Sequence, residues 1–120
     1  MVGMRELLEE MVETNPGEYA LVRSLTRASG LGGDFDKFHK YSAVMLELGS
    51  ESAEEVVNMA TSLGETGPSG DAFVYAARIA TRYRIQTDID GLITSAVVLL
   101  PEIAGEGLLK EFHRMGPIPR

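Results

Sequence analysis

The chain has 120 residues, 44% of them hydrophobic and 24% charged, a balance and length that predict one domain able to bury roughly two-thirds of its unfolded surface. It contains no cysteine and only two histidines, which excludes disulfides, thiolate metal sites, cysteine nucleophiles and thiol redox switching, and disfavours zinc. Eleven basic residues against 18 acidic ones give a net charge of -7, which repels polyanions and disfavours bulk nucleic-acid or anionic-membrane binding.

The start of the chain, Met1 to Glu13, is acidic and amphipathic rather than a basic segment followed by an apolar one. No window approaches the roughly 20 apolar residues of a membrane span. These features predict a cytoplasmic protein with no membrane partner.

Each long segment repeats its apolar residues every three or four positions, the period of an amphipathic helix. Met4, Leu7, Leu8, Met11 and Val12 form the first stripe, with Glu6, Glu9, Glu10 and Glu13 facing away. Asn15, Pro16, Gly17 and Glu18 then predict an N-cap, a proline in the first helical position and an acid in the third. A second helix follows with Leu21, Val22, Leu25 and Ala28, stopped by the glycines at 30, 32 and 33. Asp34 is the expected cap of a third helix carrying Phe38, Tyr41, Met45 and Leu48, which Gly49 ends.

Ser52 and Glu55 have the spacing of a capping box for a fourth helix with Val56, Met59, Ala60 and Leu63. A flexible loop is predicted from Gly64 to Gly70. Asp71 then opens a fifth helix in which Ala72, Ala76 and Ala80 make a ridge of small residues that admits a close neighbour. Asp90-Gly91 could be a hairpin turn, but Ile89, Leu92, Ile93, Ala96, Val97 and Leu100 keep helical spacing. The sixth helix, capped by a Thr87 and Asp90 box, is therefore expected to be buried on most sides, with Val97 and Leu100 in the core. On that basis Val97→Asp is expected to cost several kcal/mol. Pro101 is the predicted start of a last helix with Ala104, Leu108, Phe112 and Met115, followed by a frayed tail over 116–120. The fold predicted is all-α: a single domain over 1–120, built as a compact orthogonal bundle or stacked helical hairpins of six to seven short helices.

No catalytic constellation emerges. Gln86, Asp88, Asp90, Gly91 and Ile93 are spaced like part of a calcium-binding EF-hand loop, but Gln86 and Val97 stand where acidic ligands belong, so a helix cap at Thr87 or Asp88 is the better account. Gly64 to Gly70 is rich in glycine like a phosphate-binding loop, yet lacks its lysine and a preceding strand. The Glu-x-x-Glu pairs Glu6 and Glu9, Glu10 and Glu13, and Glu51 and Glu54 lie opposite apolar stripes, as solvated faces do. His39 and His113 have no visible catalytic partner. No catalytic residue, metal ligand or cofactor is therefore assigned, and no enzymatic activity is expected.

The charge distribution is more informative. From Lys40 to Arg78 no basic residue intervenes, while Glu47, Glu51, Glu54, Glu55, Glu65 and Asp71 are acidic; Arg78, Arg82 and Arg84 then follow with no acid until Asp88. Two accounts compete: the arginines pair with fourth-helix acids inside one molecule, or one face docks another protein or a second copy. The function expected is a non-enzymatic protein-protein interaction module, an adaptor, small subunit or regulator, using Arg78, Arg82, Arg84, Glu47, Glu51, Glu54 and Glu55. One alternative is a nucleic-acid-associated helical protein with a local basic patch at Arg23, Arg27, Lys37 and Lys40, as in a helix-turn-helix, which Asp34 and Asp36 oppose. A small-molecule or metal-binding helical protein is the other.

Overall fold

A computed structural model describes residues 3–100 together with Gly107 and Lys110. Among the described residues the chain is all-α: six α-helices and a 3-10 turn, without a strand. The helices are α1 (Met4–Thr14), α2 (Tyr19–Leu31), α3 (Phe35–Leu48), α4 (Ala53–Thr66), α5 (Gly70–Arg82) and α6 (Ile89–Leu99), with the 3-10 turn at Ser50–Ser52. They fall into two compact units, Met1–Ser52 and Ala53–Arg120. The predicted last helix, His113 and the tail over 116–120 lie outside the described residues, except that Gly107 and Lys110 are helical.

In the first unit α2 packs against both α1 and α3. Val22 and Leu25 of α2 meet no solvent, nor do Phe38 and Met45 of α3, so the predicted stripes are the core. Leu48 is a correction: it is exposed at the end of α3, where Gly49 already turns the chain away. The first stripe is divided too, because Val12 is buried and Leu8 half-buried while Leu7 and Met11 face outward. The corner between α1 and α2 also differs from expectation. Asn15 caps the end of α1 instead of opening α2: its backbone N–H and its side-chain Nδ2 both donate to the Met11 carbonyl, at 2.9 and 3.3 Å. Since the last turn of α1 uses that N–H, Pro16 and Gly17 form the turn and α2 begins after Glu18. The far end of α2 closes as a Schellman motif, with Asp34 N–H donating to the Ser29 carbonyl and Gly33 N–H to that of Gly30. Gly33 sits at φ 72, the left-handed conformation that this motif assigns to a residue without a β-carbon.

Two buried hydroxyls in α2 behave differently. Thr26 Oγ1 donates to the Val22 carbonyl at 2.8 Å, whereas Ser29 Oγ is buried with no hydrogen-bond partner among the described residues. An unpaired buried hydroxyl carries an uncompensated desolvation cost. Ser29→Ala is therefore expected to leave the urea midpoint unchanged or raise it, by up to about 1 kcal/mol; a loss of that size would show that the hydroxyl has a partner in solution.

In the second unit α5 packs against α4 on one side and α6 on the other. The ridge of Ala72, Ala76 and Ala80 is fully buried, as close helix packing requires. The predicted loop at 64–70 is shorter than expected, since α4 continues to Thr66 and Gly64 is a buried helical residue. A β-carbon at Gly64 would lie 2.9 Å from the Phe73 ring; glycine there is what lets the α4/α5 hairpin close. Ser69, rather than Asp71, caps α5 by accepting from Ala72 N–H at 3.2 Å, which leaves Asp71 in the first turn.

Helix α6 corrects two expectations. It is a helix, but it is not buried on most sides: Ile89, Leu92, Ile93 and Ala96 form its inner face, Val97 and Leu100 are half-buried, and Val98 is 74% exposed. Tyr75 is a core residue of α5.

Candidate functional site: charged helix ends

The seven residues singled out by charge divide between the units. Glu47 lies near the end of α3 and Glu51 in the 3-10 turn, both exposed, and the Glu51 carboxylate folds over Gly49, where a β-carbon would sit 2.7 Å from its Oε1. The other five belong to the second unit. Glu54 and Glu55 occupy the first turn of α4. Arg78 and Arg82 stand one helical turn apart on the exposed side of α5, and Arg84 follows its end.

Only three residues join α4 to α5, and the two helices, of 14 and 13 residues, pack together. That hairpin brings the start of α4 and the end of α5 to the same open end, so Glu54 and Glu55 share it with Arg78, Arg82 and Arg84. The arrangement also suits the helix dipoles, acids at an N-terminus and a base at a C-terminus.

The geometry of this end is specific. Arg82 lies over the ring of its neighbour Tyr83, with Cζ 5.8 Å from the ring centroid. At that distance the face of the ring attracts the guanidinium charge. Arg84 is the one residue other than glycine with a positive φ, 57, among the described residues. It fills the left-handed position of the turn that closes α5, where Ile85 N–H donates to the Ala80 carbonyl at 2.8 Å and Tyr83 N–H to that of Ile79 at 2.9 Å. Tyr83 does not stand out in the charge pattern; its adjacency to Arg82 and Arg84 is the one sign of it in the chain.

The remaining constellations resolve as structural groups. Asp88 Oδ1 accepts from Gly91 N–H at 3.0 Å as the cap of α6, which engages one of the two carboxylates a calcium loop would need. Among the described residues no three His, Asp or Glu side chains come together to hold a metal ion. The threonines at 14, 26, 61, 66 and 94 each donate to the carbonyl four residues earlier, a bond that ties the hydroxyl to its own helix. His39 is exposed and its ring lies 5.8 Å from that of Phe35.

The basic patch around α3 is altered by a long-range pair. Lys37 Nζ donates to Glu9 Oε1 at 3.0 Å, tying α3 to α1, and Asp34 Oδ1 accepts the backbone N–H of the same lysine at 3.1 Å. The hydrogen bond to Glu9, reinforced by the charges of Glu9, Tyr41 and Asp34, raises the Lys37 pKa against a smaller opposing effect of burial. A raised lysine pKa means the pair stabilises the fold in full below the unfolded lysine pKa and is lost as pH rises through the folded value. Urea midpoints of the protein and of Lys37→Met are thus expected to differ by a constant amount at neutral pH and to converge at alkaline pH; a difference that persists there would assign the effect to the lysine stem.

Comparison of the chain with protein-family models, with curated proteins and with solved structures finds no match. Among the described residues, no helix is long and apolar enough to cross a membrane.

Proposed function

We propose that this protein is a non-enzymatic helical interaction module, an adaptor, small subunit or regulator that docks another protein or a second copy through its charged helix faces. One observation carries this: Arg82 and Arg84 are exposed on the same hairpin end as the exposed Glu54, and none of the three makes an ion pair with another described residue. Exposed charges of both signs at one end of a hairpin are suited to a partner, where they set orientation and encounter rate. A water-soluble, cytoplasmic setting accords with the acidic, cysteine-free composition.

The nucleic-acid alternative has less support, because Lys37 is held by Glu9 and the start of α3 carries Asp34 and Asp36 where phosphates would lie. Reversing Arg78 and Arg82 to glutamate is expected to weaken partner binding or self-association at least tenfold at low salt, with the difference shrinking as salt rises and the helical circular dichroism unchanged. Pull-downs from the cells that make the protein, followed by titration of whichever protein is retained, provide the measurement. Equal retention by the parent and the double variant would overturn the proposal.

A further inference from the structure

We infer that the open end of the α4/α5 hairpin is a self-docking surface, on which Arg82 and Arg84 of one copy receive Glu54 of a second, while the second copy's arginines receive Glu54 of the first. This rests on the reading of the chain as an interaction module and names its partner.

Self-complementarity is the first argument. A two-fold contact places the same patch on both sides, so a patch with both signs satisfies itself. Glu54 and Glu55 lie at the start of α4 and Arg82 and Arg84 at the end of α5, so one two-fold axis can oppose the acids of each copy to the arginines of the other. An external acidic segment or a nucleic acid would find the arginines but meet Glu54 and Glu55 with like charge. The net charge of -7 on each copy opposes approach from a distance, but at physiological ionic strength the screening length is about 8 Å. Within the contact, the local pairs decide.

Arg84 supplies the second argument. The left-handed residue that ends a helix in this way is usually glycine, because a side chain there is strained. Arg84 occupies that position at φ 57 and is exposed, with no bond to another described residue to offset the strain. The turn that closes α5 requires a left-handed residue but not an arginine, so an exposed arginine kept there points to a role of its side chain outside the fold. Arg82, placed over the Tyr83 ring, brings a second exposed guanidinium to the same end of the hairpin.

The test is sedimentation equilibrium of the full chain from about 10 μM to about 1 mM, with about 0.15 M salt, a range suited to a weak polar contact. The protein is expected to form a reversible dimer. Glu54→Arg makes all three docking residues positive and the double variant Arg82→Glu with Arg84→Glu makes all three negative, so each alone is expected to be monomeric. Their equimolar mixture is expected to form a heterodimer at least as tight as the parent dimer, since every facing pair is then opposite in sign. Circular dichroism checks that these exposed substitutions leave the helices in place.

Arg84→Gly separates the role from a structural one: it is expected to raise the Tm, by relieving the left-handed position, while weakening the dimer several-fold. A parent that stays monomeric throughout, a mixture that forms no heterodimer, or charge variants that dimerise like the parent would each overturn the inference. A monomeric parent that still loses a different bound protein on reversal of Arg78 and Arg82 would overturn self-docking alone and leave the interaction module standing.

Discussion

Replacing Phe38 by alanine is expected to destabilise the protein by about 3–5 kcal/mol, the range for deleting a buried aromatic ring. Phe38 is among the largest side chains with no solvent exposure. It lies on the inner face of α3 and reaches across to α2, where a β-carbon at Gly30 would sit 3.4 Å from the ring. Removing the ring therefore forfeits contacts on both helices, and Val22, Leu25 and Met45, all fully buried, are held by their own helices and cannot collapse completely into the space. The cost combines lost burial with the residual cavity. Urea denaturation followed by circular dichroism measures it; a loss under about 1 kcal/mol would mean that α2 and α3 do not share this core. Phe38→Leu, which keeps much of the volume, is expected to cost less than half as much.

The stripes were legible in the sequence because periodicity is a strong signal wherever one helix face is apolar and the other charged. Val22 and Leu25, Phe38 and Met45, and the Ala72, Ala76 and Ala80 ridge are buried as their spacing predicts. The cap at Asp34 was legible from an acid immediately before a periodic run, whereas α6 is capped by Asp88 and not by the expected Thr87 and Asp90 box. Where two cap formers stand close together, spacing cannot choose between them. Ser69 rather than Asp71 caps α5, and Asn15 closes α1 rather than opening α2, because the choice depends on which residue leaves helical backbone angles.

The charged site was legible as composition, and less so as geometry. A run of acids followed by three arginines is visible in the chain, but the placement of Arg82 over the Tyr83 ring and the left-handed angle at Arg84 arise from the way α5 ends. The Lys37–Glu9 pair links residues 28 positions apart, with no local sign that they meet. It removed one member of the basic patch that the sequence suggested for nucleic acid.

Helix α6 is the sharpest case of an ambiguous pattern, and it sets the second large effect. Seven of its 11 residues, Ile89, Leu92, Ile93, Ala96, Val97, Val98 and Leu99, are apolar, which reads as burial nearly all round. The packing against α5 instead selects one face, in which Ile93 is 1% exposed and Ala96 is fully buried, while Val98 on the other side is 74% exposed. Ile93→Asp is therefore expected to cost more than about 4 kcal/mol, by exchanging a packed side chain for an unpaired buried charge. Val97→Asp, which the stripe alone marks as equally severe, is expected to cost under about 2 kcal/mol, because a half-exposed position lets the carboxylate reach water. Ile93→Val, which removes one methyl group and adds no charge, is expected to fall at about 0.5–1.5 kcal/mol and calibrates the packing share of the loss. Urea midpoints of the three variants at neutral pH order them directly. Equal losses for the two aspartate variants would place Val97 in the core beside Ile93 and return α6 to the all-round burial its composition suggests.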